Sequence, residues 1–254
     1  MRLFDLTGKA AIVTGGNGGI GRGIALALGE AGASVCIAGR NEGKNASVRD
    51  ELEALGARAI AMTCDVNKAS DIDATIEATS GAFGSVDILV NNAGISALNS
   101  PEAMTDEEWQ SVIDTNLTSV FKFSRAVHGS LLAAGGGKII NIGSMYSLFG
   151  HPLLANYGAS KGGVVQLTKS LATAWAEHNI QVNAILPGWI ETDMTAPLSD
   201  EAFADFHAEI LTRTPEGRFG KPEELGGTAV YLASAASDFV TGQSIPVCGG
   251  FSIR

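Results

Sequence analysis

Cysteine is scarce and poorly placed for stapling or metal binding. Cys36, Cys64 and Cys248 are the only three in 254 residues. Their number is odd, no CxxC pair occurs, and no histidine stands nearby at ligand spacing. A disulfide framework and a zinc site are therefore excluded, and a reducing, cytoplasmic setting is expected. Basic residues are also few. The chain has 17 Lys and Arg against 27 Asp and Glu, a net charge of −10, which suits a nucleic-acid backbone badly. No stretch reaches the ~18 consecutive apolar residues of a membrane span. Residues 1–9 lack the basic-then-apolar pattern of a leader. Neither nucleic acid nor membrane is an expected partner.

Glycine, by contrast, is abundant: 32 of 254 residues, where ~7% is usual. It shows no three-residue period, so it must serve turns and close backbone approach. Short apolar runs at 9–14, 34–38, 58–63, 87–90, 138–142, 180–186 and 244–247 alternate with helical patterns at 19–31, 41–55, 68–83, 106–134, 155–178, 200–213 and 222–234. The runs are continuous rather than alternating, as in strands buried on both faces. The rhythm predicts a three-layer, doubly wound α/β Rossmann fold with a parallel sheet of about seven strands. No linker or repeat divides 1–254, so one dinucleotide-binding domain is expected.

The first strand-to-helix turn, Thr14-Gly-Gly-Asn-Gly-Gly-Ile-Gly21, satisfies both GxGxxG and TGxxxGxG. Such a turn lets backbone N–H groups and a helix N-terminus face a pyrophosphate. The second strand ends Ala38-Gly-Arg-Asn41, with no carboxylate for a ribose 2′-hydroxyl. Arg40 instead suits a 2′-phosphate, which a guanidinium holds bidentately. Asp65, followed by Val66, could accept from the adenine amine or cap a helix.

Tyr157 and Lys161 are spaced i, i+4, on one helical face. An adjacent ammonium favours phenolate and lowers a tyrosine pKa from about 10, which would make Tyr157 a general acid/base. Ser144 follows the fifth strand, where open parallel sheets bind ligands. Asn116 stands within a predicted helix, where Asn is unfavourable.

Taken together, these marks resemble the short-chain dehydrogenase/reductase family. They are Thr14-Gly15-x-x-x-Gly19-x-Gly21, Asn91-Asn-Ala-Gly94, Asn116, Ser144, Tyr157-x-x-x-Lys161 and Pro187-Gly188 followed by Thr192. The resemblance runs over about 7–250. It implies hydride transfer between an alcohol or ketone and a nicotinamide cofactor, without a metal. Tyr157 would handle the substrate proton, Lys161 would lower its pKa and bind the ribose, Ser144 would polarise the carbonyl, and Asn116 would hold a relay water. The cofactor would lie along Gly15, Asn17, Gly18, Gly19, Ile20, Gly21, Arg40, Asn41, Asp65, Val66, Asn92, Ala93, Gly94, Tyr157, Lys161, Pro187, Gly188, Ile190 and Thr192. NADP(H) is expected over NAD(H) because of Arg40, although the glycine-loop basic residue of some NADP-using members is replaced by Gly18. Cys248-Gly-Gly250 departs from the Asp-Gly-Gly of many members.

Substrate recognition would fall to Ser144, Tyr146, His151, Asn156, Tyr157 and Trp189, beneath a lid at about 190–215. Members acting on gluconate-type sugar acids are the most similar in flavour, and 3-oxoacyl-(acyl-carrier-protein) reductases are nearly as similar. A net acidic chain suits an acidic carrier protein poorly. A cofactor-binding regulatory protein on the same fold is the competing class, but such relatives tend to lose the Tyr or Lys kept here. A homotetramer is expected. Helices 106–134 and 155–178 carry apolar residues on more than one face, including Val112, Leu117, Val120, Phe121, Phe123, Val127, Val164, Val165, Leu167, Leu171 and Trp175, and the tail 251–254 would meet a neighbour.

Overall fold

The computed structural model describes residues 2–254. Seven parallel strands form one sheet in the order β3-β2-β1-β4-β5-β6-β7. They are β1 Ala10–Thr14, β2 Ser34–Gly39, β3 Ala59–Thr63, β4 Ile88–Asn91, β5 Gly137–Ile142, β6 Ile180–Pro187 and β7 Ser244–Val247. Each predicted run is a strand to within a residue.

The central strands are buried on both faces because helices cover both. Ala11 and Val13 of β1 pack with α1 (Gly19–Glu30), α2 (Glu42–Ala54) and α8 (Gly226–Ala233). Ile12, between them, points the other way, toward α3 (Ala69–Phe83), α5 (Ser119–Ala133) and α6 (Ala155–Trp175). This alternation is the two-residue period of a strand.

Local chemistry sets the helix ends. Asn41 caps α2 by accepting from the Lys44 N–H at 2.9 Å. Thr105 and Glu108 form a capping box at the start of α4 (Asp106–Ile113). Gly135 and Gly136, both at positive φ, stop α5.

The predicted helix 106–134 is not uniform. Residues Asp114–Thr118 form one turn of π-helix between α4 and α5, and Asn116 lies in it. The lid region is also more broken than predicted: 3₁₀ turns at Ala196–Ser199 and Glu201–Phe203 precede α7 (Ala204–Arg213). Another 3₁₀ turn, Pro222–Leu225, precedes α8.

Much of the apolar surface expected to seek a partner is covered within the chain. Val112, Val120, Phe123, Val127, Val164 and Leu171 are buried, whereas Phe121, Trp109 and Leu132 stay exposed. The tail docks on its own chain too. Phe251 is buried, with the Arg213 guanidinium 4.2 Å from its ring centre, and Arg254 donates to Thr212 O at 2.8 Å.

The strand order reverses at β1, between β2 and β4. Loops leaving the carboxyl ends of β1 and β4 must run in opposite directions there, opening a crevice. Every element of the site described next converges on it.

Candidate active site

A cavity of ≈ 750 Å³ occupies that crevice. One end is built by the glycine turn and the loop after β4, locked together. The Thr14 hydroxyl donates to Val90 O (3.3 Å) and accepts from the N–H groups of Asn92 (3.0 Å) and Ala93 (3.1 Å). Asn92 Nδ2 donates to Thr14 O (3.0 Å) and Gly15 O (3.1 Å). Gly15 sits at φ +61, where a side chain would be strained and its Cβ would meet Asn92 Nδ2 at 2.9 Å.

Gly21, expected to touch cofactor, does not line the cavity. It is buried, and a Cβ there would overlap Gly15 O. Its function is to let α1 approach the turn. Gly15, Asn17, Gly18, Gly19 and Ile20 do line the cavity, as do Asn92, Ala93 and Gly94.

At the far end stand Arg40, Asn41, Asp65 and Val66, all on the wall. Arg40 is exposed. Asp65 Oδ1 accepts from the Asn67 N–H at 3.0 Å, closing its own turn. Two residues here escaped the sequence reading. Lys44, one turn into α2, lines the cavity and pairs with Asp193 at 3.1 Å. Buried Asn45 accepts from Asn17 (2.6 Å) and donates to Gly39 O (2.7 Å) and Met62 O (2.9 Å), tying the glycine turn to the ends of β2 and β3. A polar residue on the inward stripe of α2 was the available signal for Asn45.

Ser144, Tyr157 and Lys161 meet at the cavity's inner floor. Ser144 leaves β5 in extended conformation, and its Oγ accepts from the Tyr146 N–H at 3.1 Å. Ser147 Oγ accepts from the Ser144 N–H (3.1 Å) and donates to Lys161 O (2.8 Å), clamping the serine turn to α6. Lys161 Nζ donates to Ile142 O at 2.8 Å and lies 5.8 Å from the Tyr157 ring centre. Burial depresses the Lys161 ammonium to about 8. Burial also raises the Tyr157 phenol, and the hydrogen bond with Ser144 draws it partly back.

Asn116 is wholly buried and off the cavity wall. Its Oδ1 accepts from the Ile95 N–H (2.8 Å), and its Nδ2 donates to Ile95 O (2.8 Å) and Ser160 Oγ (3.2 Å). These bonds occupy the side-chain amide, which braces the loop at Ile95. A Cβ on neighbouring Gly94 would stand 3.3 Å from Asn116 Oδ1 and 3.5 Å from Lys161 Nζ.

Pro187, Gly188, Ile190 and Thr192 line the wall after β6. Gly188 has no room for a side chain, since a Cβ would fall 2.6 Å from Cys248 Cα. Beyond the floor, Tyr146 and Trp189 meet edge-on at 6.1 Å, and His151 and Phe206 at 6.0 Å. Burial pushes the Tyr146 phenol up to about 12, against the nearby positive charge of Arg213. His151 Nδ1 accepts from the Leu153 N–H at 3.2 Å, so the neutral ring carries its proton on Nε2.

Asn156, the remaining expected substrate contact, faces away. It is fully buried, donating to Glu108 O (3.4 Å) and accepting from the Tyr157 N–H (2.7 Å). Adjacent helical residues are ~100° apart, so Asn156 cannot share the Tyr157 face. Phe206, Leu98 and Leu198, not anticipated, do line the cavity.

A family model described as enoyl-(acyl carrier protein) reductase matches residues 15–252. The chain belongs to the short-chain dehydrogenase/reductase family. It is 43% identical to a 2-dehydro-3-deoxy-D-gluconate 5-dehydrogenase of Escherichia coli, over 100% of this chain and 99% of that one. It is 40% identical to a 3-oxoacyl-(acyl-carrier-protein) reductase of Vibrio harveyi, over 97% and 98%. A solved gluconate 5-dehydrogenase of Burkholderia cenocepacia, in complex with NADP and tartrate, superposes with a TM-score of 0.93 at 40% identity, covering 100% of this chain and 98% of that one. This family member is an oxidoreductase that interconverts an alcohol and a carbonyl with a nicotinamide cofactor. No helix among the described residues is long and apolar enough to cross a membrane.

Proposed function

We propose that this chain is an NADP(H)-preferring dehydrogenase of a sugar acid or polyol. The observation that carries the reading is the convergence of Ser144, Tyr157 and Lys161 on the cavity floor, continuous with a glycine cradle. The cradle fits a dinucleotide: a Cβ at Gly94 would stand 3.3 Å from Asn116 Oδ1, and one at Gly19, at φ +47, would stand 3.1 Å from Thr192. The nicotinamide, when bound, supplies or takes the hydride.

The chain's own residues handle the rest. Ser144 donates to the substrate oxygen, and Tyr157 gives or takes its proton. Lys161 holds positive charge beneath them. Tyr146 and the Nε2–H of His151 offer hydrogen bonds to hydroxyls or a carboxylate, and Trp189 offers a face to a sugar ring. Arg40, at a strand end without a carboxylate, supports the preference for a 2′-phosphate.

One observation favours a second reading, an acyl-thioester reductase: the exposed Leu98 and Met194 on the cavity wall would suit an alkyl chain. A panel of sugar acids, polyols, steroids and acyl thioesters, followed at the nicotinamide absorbance, separates the two. Turnover confined to thioesters would overturn the sugar-acid reading. Arg40→Asp is expected to reverse the cofactor preference. A wild type that prefers NAD(H) refutes that part.

Exposed Phe121, Trp109 and Leu132 support assembly through α4 and α5. Light scattering is expected to give about four times the 26.1 kDa chain mass, and a monomeric mass would refute the tetramer.

A further inference from the structure

We infer that Lys44 is a second ligand for the cofactor's 2′-phosphate, and that Asp193 competes with the phosphate for it. The inference rests on the NADP(H) reading above, but concerns residues that no family mark singles out.

The Asn41 cap fixes where Lys44 leaves α2, since Asn41 Oδ1 takes its backbone N–H at 2.9 Å. Its side chain then lies on the cavity wall with Arg40 and Asn41. The Lys44 ammonium meets Asp193 Oδ2 at 3.1 Å, across 149 positions of sequence. Asp193 follows Thr192, in the segment that leaves β6, and also lines the cavity. The pair therefore spans the adenosine end of the groove and joins α2 to the start of the lid.

The pair is poorly defended. The Lys44 side chain is 57% exposed and that of Asp193 is 92%. An exposed ion pair is screened by water and salt and is weakly held. A ribose 2′-phosphate brings more negative charge and three acceptor oxygens, and its bonds to a cation are charge-assisted. Arg40 has no ion-pair partner among the described residues, so one cation is free and the second is loosely engaged. A phosphate arriving between them takes Lys44 and repels the Asp193 carboxylate, freeing the lid at its first residues. A cofactor without the phosphate leaves the pair closed. Asp193 thereby opposes NADP(H) and is neutral to NAD(H).

Calorimetric titration with 2′,5′-ADP and with 5′-AMP tests this without turnover, because the two ligands differ only in the 2′-phosphate. Lys44→Met is expected to weaken 2′,5′-ADP about tenfold, the scale of one lost charge-assisted bond, and to leave 5′-AMP unchanged. Asp193→Asn is expected to tighten 2′,5′-ADP about two- to threefold, the limit set by an exposed pair, again without moving 5′-AMP. Two results overturn the proposal: Asp193→Asn binding 2′,5′-ADP no more tightly than wild type, or Lys44→Met shifting both ligands alike or neither. Cofactor preference is read separately, from wild-type kcat/KM with NADPH and NADH. Failure of that preference and failure of the exchange are thus distinguishable.

Discussion

Truncating Asn116 to alanine separates a bracing role from a chemical one. The wild-type amide is fully buried and makes three hydrogen bonds, two of them to the N–H and C=O of Ile95. Alanine removes the partner from both Ile95 groups. A buried polar group left unpaired costs about 1–3 kcal/mol. Ile95 is only half-buried, so water recovers part of that cost, and the two groups together should cost about 2–3 kcal/mol. Denaturant titration at fixed chain concentration is expected to show a lower midpoint with an unchanged slope. Activity should fall as well, because Gly94, which lines the cavity beside Ile95, is displaced with it. A misplacement of about 1 Å is enough for ~10²-fold. Asn116→Asp keeps the acceptor for the Ile95 N–H but turns an oxygen toward Ile95 O, so it should not restore stability. The bracing role is refuted if Asn116→Ala loses activity while its stability stays within about 0.5 kcal/mol of wild type, the usual spread of a neutral surface change.

Tyr157→Phe keeps the ring and removes the proton, so turnover should drop at least ~10²-fold with cofactor affinity kept; near-normal turnover would sink the acid/base assignment. Alcohol oxidation needs the phenolate, and burial raises the phenol while Ser144 lowers it, so oxidation should climb with pH through the phenol's titration. Carbonyl reduction should decline over the same range, and two flat profiles would contradict this. Lys161 is depressed by burial to about 8, against about 10.4 in an unfolded chain. Between those values the unfolded chain binds the extra proton, so wild-type stability should gain with rising pH there. Lys161→Met should lose turnover, be no less stable at pH 7, and lack that gain; an identical pH slope in both proteins would refute it.

The meeting of Ser144, Tyr157 and Lys161 on the cavity floor was legible because its parts are strand-end and single-turn features. Ser144 stands two residues beyond the end of β5, and Tyr157 and Lys161 share a face through an i, i+4 spacing that any helix enforces. The glycine turn was legible because its glycines stand close together in the sequence, whereas the residues that lock it, Asn92 and Asn45, come from elsewhere in the chain. Asn156 was misread by ignoring that same helical geometry. Gly21 was misread because close packing and ligand contact select glycine equally. Phe206, Leu98 and the Lys44–Asp193 pair were illegible for a different reason. They come from segments that meet only after the sheet is assembled, and nothing local marks an exposed leucine or lysine. The π turn lies between these cases. Asn116 was conspicuous as an unfavourable residue in a helical pattern, but its actual partner, the Ile95 backbone, belongs to another loop.

The two ends of the crevice are held by different kinds of interaction. Under the floor runs a buried polar chain. Asn91 Nδ2 donates to Ser124 Oγ (3.1 Å) and Asn141 Oδ1 (2.9 Å), and Asn141 Nδ2 donates to Thr168 Oγ1 (2.9 Å). It crosses from β4 to β5, and from the sheet to α5 and α6. In a low-dielectric interior each bond of such a chain is costly to break, because water cannot replace it. The floor under Tyr157, the proposed proton donor, is therefore rigid before any ligand arrives, as catalysis by positioning requires. The outer wall is made of short 3₁₀ turns, exposed apolar side chains and an exposed ion pair, all of which exchange partners at low cost. On the proposed reading, the proton-transfer chemistry is thus fixed in the interior, while substrate and cofactor choice lie in the part of the chain where substitution disturbs the fold least.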